Sequence, residues 1–185
     1  SEVHPIAAWE INATASVNLL QIAERYDVGA FVFSSTVASY GPDVPAELPA
    51  ETPQWPQNVY STTKIATERM RHWMKTKRDF DFRCLRFLMV IYPFAPPCAV
   101  KSYPGHACLA AKSGTPFTFP VKAETGMLTL YLMDVVRSLA EFTLCDKACV
   151  KQPAYNLHAY HFTAAMLAQN LQNRFPDATF TFDPQ

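Results

Sequence analysis

Glycine is scarce in this chain, at 5 residues in 185. No G-x-G-x-x-G cluster occurs anywhere in the sequence. The glycine turn that sets a pyrophosphate against a helix N-terminus is therefore not among its motifs. An excess of one charge is missing too, since 16 Lys and Arg balance 16 Asp and Glu. That balance argues against the basic field of a nucleic-acid binder and against a polybasic membrane anchor. No stretch approaches the roughly 18 to 20 uninterrupted apolar residues of a membrane span. The opening Ser1-Glu2-Val3-His4-Pro5 lacks the basic start and apolar run of a secretion signal. The five cysteines, Cys84, Cys98, Cys108, Cys145 and Cys149, are odd in number and show no paired framework. They read as free, mostly buried thiols in a reducing compartment. Cys145 and Cys149 sit four apart on an expected helix, but no second pair completes a metal set.

Apolar residues and proline are abundant. Half the chain (49%) is apolar and 17% charged, and 15 residues are proline. This composition builds a real core, as one domain or a piece of a larger one. From Ile6 to Arg25, Trp9, Ala13, Val17, Leu20 and Ala23 recur at helical spacing, predicting an amphipathic helix. Gly29 offers a left-handed stop. Phe31-Val32-Phe33 reads as a strand buried on both faces. Five prolines between residues 41 and 58 mark a loop. A helix is expected from about Asn58, its cap, to Lys77, then a strand over Asp81 to Phe87. Residues 92–105 read as irregular.

Beyond them, a short helix is expected over His106 to Lys112 and strands over Phe117 to Phe119 and Leu128 to Leu132. A helix capped by Asp134 should bury Val136, Leu139, Ala140 and Leu144. A strand over Ala154 to Leu157, a helix capped by Thr163 and a half-exposed strand over Ala178 to Phe182 complete the pattern. Strands alternating with helices predict an α/β fold with a mostly parallel sheet.

The sharpest chemical signal is Tyr60-Ser61-Thr62-Thr63-Lys64. Tyr and Lys four apart share one helix face. A neighbouring ammonium favours the phenolate, so Tyr60 can serve as a base toward a substrate hydroxyl. Alone, such a pair is common by chance and reads first as a surface helix pair. It is preceded by Ser34-Ser35-Thr36-Val37-Ala38-Ser39-Tyr40-Gly41 at a strand end, where open α/β sheets bind ligands. Those hydroxyls can also simply satisfy backbone groups. Other candidates are weaker. His158 and His161 lack a third ligand, and His72 and His106 lack a partner in sequence. Arg69, Arg71, Lys75, Lys77 and Arg78 read as a solvated basic face. Glu68, four after Lys64, stands to compete for its ammonium.

Phe31 to Gly41, Glu51, Pro56, Tyr60-x-x-x-Lys64 and Leu85-Arg86 together resemble the extended short-chain dehydrogenase/reductase superfamily of epimerases and dehydratases. Asn12, Thr14 and Asn18-Leu19-Leu20 resemble its asparagine-bearing helix. Within it, Tyr131-Leu132-Met133-Asp134, Tyr155-Asn156-Leu157 with Phe162-Thr163, and Phe175-Pro176-Asp177 resemble the L-threonine 3-dehydrogenase branch. The resemblance implies a Rossmann-like, mostly parallel sheet flanked by helices. Residues 1–90 would be the C-terminal part of a dinucleotide-binding domain and 91–185 a smaller substrate-binding part. By the same likeness the chain starts after the first strands and stops before the last helices.

The resemblance also implies NAD as cofactor, with Tyr60 as base, Lys64 tuning it and holding the nicotinamide ribose, and Thr36 polarising the substrate oxygen. Asn12, Ser34 and Ser35 would line or order the cofactor region, and Leu88, Met89 and Val90 would pass beside the nicotinamide. Phe87-Leu88-Met89 stands where the branch has Tyr-Pro-Gly, and its threonine-rich loop has no match around Tyr103 to Ala107. The implied reaction is oxidation of L-threonine to 2-amino-3-oxobutanoate, with a sugar-nucleotide epimerase or dehydratase and a non-catalytic relative as alternatives. A homodimer is expected, with Trp73 and Met74 at the contact. The partner is a small molecule rather than nucleic acid or membrane, in the cytoplasm or a mitochondrial matrix.

Overall fold

The computed structural model describes residues 1–42, 44, 48–77, 80–92 and 103–184. The chain opens with a helix in three parts. They are α1 (Pro5–Trp9), a π-helical turn (Glu10–Thr14) and α2 (Ala15–Arg25). Ala13, Leu20 and Ala23 form its buried stripe, while Trp9 stays outside. Asp27, not Gly29, takes the left-handed conformation at its end (φ 50°). A short polar side chain tolerates that region, because it can bond locally.

Strand β1 (Phe31–Thr36) runs three residues beyond the expected apolar stretch. A 3₁₀ turn (Val37–Tyr40) leads to the proline-rich loop and α3 (Val59–Lys77). β2 (Phe82–Phe87) and β3 (Met89–Ile91) follow. Most of the irregular stretch expected at 92–105 lies outside the described residues, as does Cys98; helix α4 (Tyr103–Ser113) already occupies its end. Then come β4 (Phe117–Phe119), β5 (Gly126–Tyr131), α5 (Leu132–Leu144), a 3₁₀ turn (Lys147–Cys149), β6 (Tyr155–Leu157), β7 (Tyr160–Thr163), α6 (Ala164–Arg174) and β8 (Phe180–Phe182). The brief strands β3 and β7 had no clear periodic signal. At three and four residues they are too short to show one.

The chain divides into two compact units. The first holds residues 1–88 and 136–157, and the second 89–135 and 158–185. A single division at residue 90 had been expected. Residues 136–157 return to the first unit because they carry β6, which pairs with β2. The first unit's sheet has the order β1-β2-β6, all parallel. Its core joins Leu20, Phe33, Met74, Phe82, Cys84 and Ala154. Phe31 stacks on Phe82 with centroids 5.8 Å apart. The second unit pairs β3 with β5 in parallel, β5 with β7 antiparallel, and β4 with β8 in parallel. Its core is Tyr103, Ala107, Phe119, Ala164 and Ala168, and Thr163 caps α6 through Met166 N at 3.2 Å. The sheets are thus mostly parallel and flanked by helices.

Helix α5 departs from expectation. Val136 and Leu144 are exposed, and Val135 is its one buried residue. The helix starts two residues before Asp134, and its half-buried positions are Asp134, Ser138, Leu139 and Phe142. Nor do Cys145 and Cys149 share a helix, because α5 ends at Leu144. Of the four described cysteines, all free, only Cys84 is buried, so "mostly buried" does not hold for them.

Charge is buried in β2. Arg83 is paired with Asp81 at 2.7 Å and donates to the carbonyls of Phe142 (2.5 Å) and Cys145 (2.9 Å), meeting orphan groups at the end of α5. Arg86 pairs with Glu68 of α3 at 2.6 Å, both almost fully buried. It also donates to Tyr40 Oη and to the Ala50 carbonyl (2.7 Å). Tyr40 donates to Asn156 Oδ1 of β6 at 2.9 Å. Ser35 of β1 donates to Glu68. Glu68 therefore does not compete for Lys64: the planar guanidinium of Arg86 offers a two-pronged match that a single ammonium cannot.

Burial would push the Glu68 carboxyl up. Hydrogen bonds from Arg86 and Ser35, with the charge of Arg86, outweigh it and hold the group below its ordinary value. A folded pKa below the unfolded one gives stability above the unfolded carboxylate range, lost as pH falls through the lower folded value. Removing one partner of a buried pair costs about 3–5 kcal/mol. Glu68→Ala is expected to lose that much in urea unfolding at neutral pH. Glu68→Gln should flatten the acid limb of the stability profile; an unchanged limb would show that other carboxylates set it.

Candidate active site

Tyr60 owes its place to the start of α3. Asn58 Oδ1 accepts from Ser61 N at 2.8 Å, and Glu2 Oε1 accepts from Val59 N at 3.0 Å. These acceptors satisfy helix-start donors. Tyr60 thus sits in the first turn and Lys64 one turn on, as their spacing implies. Tyr60 is 40% exposed. Lys64 Nζ lies 5.6 Å from the Tyr60 ring centroid and 5.0 Å from that of Phe33, and donates to the Ser34 carbonyl at 2.9 Å.

The ammonium thus faces the Tyr60 ring, and its hydrogen bond goes to the end of β1. Burial pushes the Tyr60 phenol up and the Lys64 amine down. The lowered phenol expected from the spacing is therefore not found in the ligand-free geometry. Desolvation opposes the charged form of both groups.

Successive strand side chains point to opposite faces. Phe33 and Ser35 share the face covered by α3, where Ser35 meets Glu68. Ser34 and Thr36 share the other face, and Ser34 is exposed. The two serines cannot line the same ligand, so Ser35 moves from the cofactor set to the support of α3. Thr36 Oγ1 accepts from Ala38 N at 3.2 Å, capping the 3₁₀ turn. Its hydroxyl proton is left to donate outward.

Gly41 closes this turn with φ +88°, and a Cβ there would collide with the Trp55 carbonyl. Its conformation and the close approach of the loop both require glycine. Asn12 lies half-buried in the π-turn, which packs against α3, and its carbonyl accepts from Ser16 Oγ at 2.5 Å. Single π-turns inside α-helices concentrate at functional positions. Leu88 ends the first stretch of the first unit, whereas Met89 and Val90 belong to β3 of the second, paired with Thr129 and Leu130.

The residues that hold this arrangement together carried no supporting role in the motif reading. Glu68, Arg86, Tyr40 and Asn156 carry the support network, and Glu2 helps cap α3. The signal for them was charge inside a strand, since Arg83 and Arg86 interrupt the apolar residues of β2. Met74 lies in the core rather than at a surface contact, while Trp73 is exposed. Arg71, expected on a solvated face, is buried.

The Lys64 ammonium links the Tyr60 ring to the Ser34 carbonyl near the end of β1, the strand that Thr36 closes. A phenol and an ammonium with spare donors suit the hydroxyl-rich nicotinamide ribose end of a dinucleotide. For the pyrophosphate end the sequence holds no glycine turn.

Residues 1–157 match the family model described as the NAD dependent epimerase/dehydratase family. The chain is 27% identical over 187 residues to the mitochondrial L-threonine 3-dehydrogenase of Bos taurus, covering 99% of this chain and 50% of that protein. It is also 27% identical over 191 residues to an uncharacterized epimerase/dehydratase of Staphylococcus saprophyticus, covering 99% and 58%. A GalE-like L-threonine dehydrogenase from Cupriavidus necator, in its apo form, superposes with a TM-score of 0.90 at 26% identity, covering 98% of this chain and 66% of that one. The architecture is accordingly Rossmann-like. The chain spans about half the length of the curated relatives it matches. With 157 of its residues under the family model, this chain belongs to the NAD dependent epimerase/dehydratase family.

Proposed function

We propose that this chain carries the proton-transfer half of an NAD-dependent dehydrogenase that oxidises the hydroxyl of L-threonine to give 2-amino-3-oxobutanoate. The observation that supports this reading is the Lys64 ammonium, which lies over the Tyr60 ring and donates to the Ser34 carbonyl of β1. NAD, when bound, supplies the acceptor for the hydride leaving the hydroxyl-bearing carbon. Tyr60 takes the hydroxyl proton. Thr36, whose lone pair serves the 3₁₀ turn, donates its hydroxyl proton to the substrate oxygen. Lys64 stands one turn from Tyr60, so its ammonium favours the phenolate while its remaining donors hold the ribose. Ser34 lines the same face, and Asn12 orders the helix beside it. Leu88 is proposed to flank the nicotinamide.

A base must be deprotonated to act, and burial raises the phenol. Activity should therefore climb with pH on the alkaline side of neutrality. NADH formation from L-threonine and NAD is expected for the whole protein. Tyr60→Phe should lower kcat/KM by about 10²–10⁴-fold and abolish that alkaline limb. Undiminished turnover in the variant would overturn the role of Tyr60.

A second reading is a sugar-nucleotide epimerase or dehydratase using the same three residues. The Staphylococcus relative, as similar in sequence as the threonine dehydrogenase, favours it. Conversion of a nucleotide sugar without net NADH would identify that reading. Turnover of neither substrate class by the whole protein would leave a non-catalytic binding relative. The free thiols fit a reducing compartment, cytoplasm or mitochondrial matrix.

A homodimer is part of this proposal. Ile11, Leu19 and Ile22 on the first helix, and Trp73 on α3, are exposed. Apolar residues grouped in this way mark an interaction surface. Sedimentation at micromolar concentration should show a dimer that Trp73→Glu weakens. Monomer alone would count against it.

A further inference from the structure

A cavity of about 620 Å³ opens in the first unit, away from Tyr60. Arg69, Arg71, Arg86 and Lys151 line it, against the carboxylates of Glu51 and Glu68. Glu68 is spent on Arg86. Arg71 is 8% exposed, donates through Nη1 to the Pro153 carbonyl and lies over the Phe82 ring at 5.6 Å. Its Nε is buried without a hydrogen-bond partner, and Arg71 joins no ion pair among the described residues. A buried charge is normally paired. Arg69 spends one donor on Gln54 Oε1 at 2.9 Å and stays exposed. Lys151 is exposed beside it on the cavity wall. From Tyr60 to Arg71 the helix rises roughly 16 Å at about 1.5 Å per residue, so this is not the catalytic junction.

We propose that this cavity binds a small phosphate-bearing anion, held by Arg69 and Lys151 at the mouth over the buried guanidinium of Arg71, which makes no ion pair among the described residues. Guanidinium forks match phosphate oxygens, and a lysine adds a point charge. The volume falls within the range of small-molecule sites. Glu51 on the rim selects against weakly held monoanions, because its own charge must be outweighed.

Isothermal titration of the chain with inorganic phosphate, at fixed ionic strength, tests the site. Saturable binding in the millimolar range or tighter is expected. Arg69→Ala combined with Lys151→Ala, both at exposed positions, should weaken it at least about tenfold. Tyr60→Phe and Lys64→Ala should leave it unchanged. Arg71→Met should also weaken it; the exposed double variant decides the matter where that core change disturbs folding. Absence of saturable phosphate binding would overturn the proposal. So would binding indifferent to the double variant, or binding lost in Lys64→Ala, which would place the anion at the catalytic junction. Acetate binding as tightly as phosphate would overturn the phosphate assignment.

Discussion

The buried pair between Glu68 and Arg86 is the interaction on which the rest of the first unit depends. It ties α3 to β2, and through Ser35, Tyr40 and Ala50 it reaches β1 and the proline-rich loop. Tyr40 passes the connection to Asn156 of β6. Two ions taken out of water repay their desolvation only when the remaining donors and acceptors are satisfied. Here they are: Glu68 accepts from Ser35 and Arg86, and Arg86 has the Tyr40 oxygen and the Ala50 carbonyl. The effect is positional. With the middle of α3 locked against the sheet, its first turn has little freedom, and Tyr60 is held at the end of β1.

The same pair decides what Lys64 does. On an isolated helix, Lys64 and Glu68 four apart would be partners. Arg86 claims the carboxylate with a fork, leaving the Lys64 ammonium for the Ser34 carbonyl. That bond keeps the cation near the Tyr60 ring instead of one turn down the helix. The placement of Lys64 against Tyr60 therefore rests on an arginine eighteen residues beyond Glu68 and absent from the Tyr-x-x-x-Lys motif.

Local rules made much of this legible in the sequence. The Asn58 cap, the length of α3, the strand after Asp81 and the Thr163 cap all follow from groups within a few residues of each other. Tyr60 and Lys64 lie on one face because the helix period demands it. The misreadings came where partners are distant. Ser34 and Ser35 looked equivalent as neighbours, yet strand alternation sends one toward Glu68 and the other outward. Arg71 and Met74 looked like surface residues of a basic helix end, but Phe82 and the Pro153 carbonyl, from elements close in space and far in sequence, cover that end. The face of α5 was assigned from the spacing of Val136, Leu139, Ala140 and Leu144, but the stripe through Val135, Ser138, Leu139 and Phe142 is the one turned inward.

Helix α3 thus carries Lys64, Glu68 and Arg71 along one stripe, at steps of four and three. Only the middle member is neutralised, and its partner is a strand residue. The two cations flanking it are left to different fates. Lys64 keeps a backbone carbonyl and faces an exposed phenol. Arg71 keeps a backbone carbonyl and faces a cavity with more cations than carboxylates on its walls. A single buried ion pair, placed at the centre of the stripe, separates these two electropositive ends. Charge that would have cancelled along the helix surface is instead presented at both ends of the stripe.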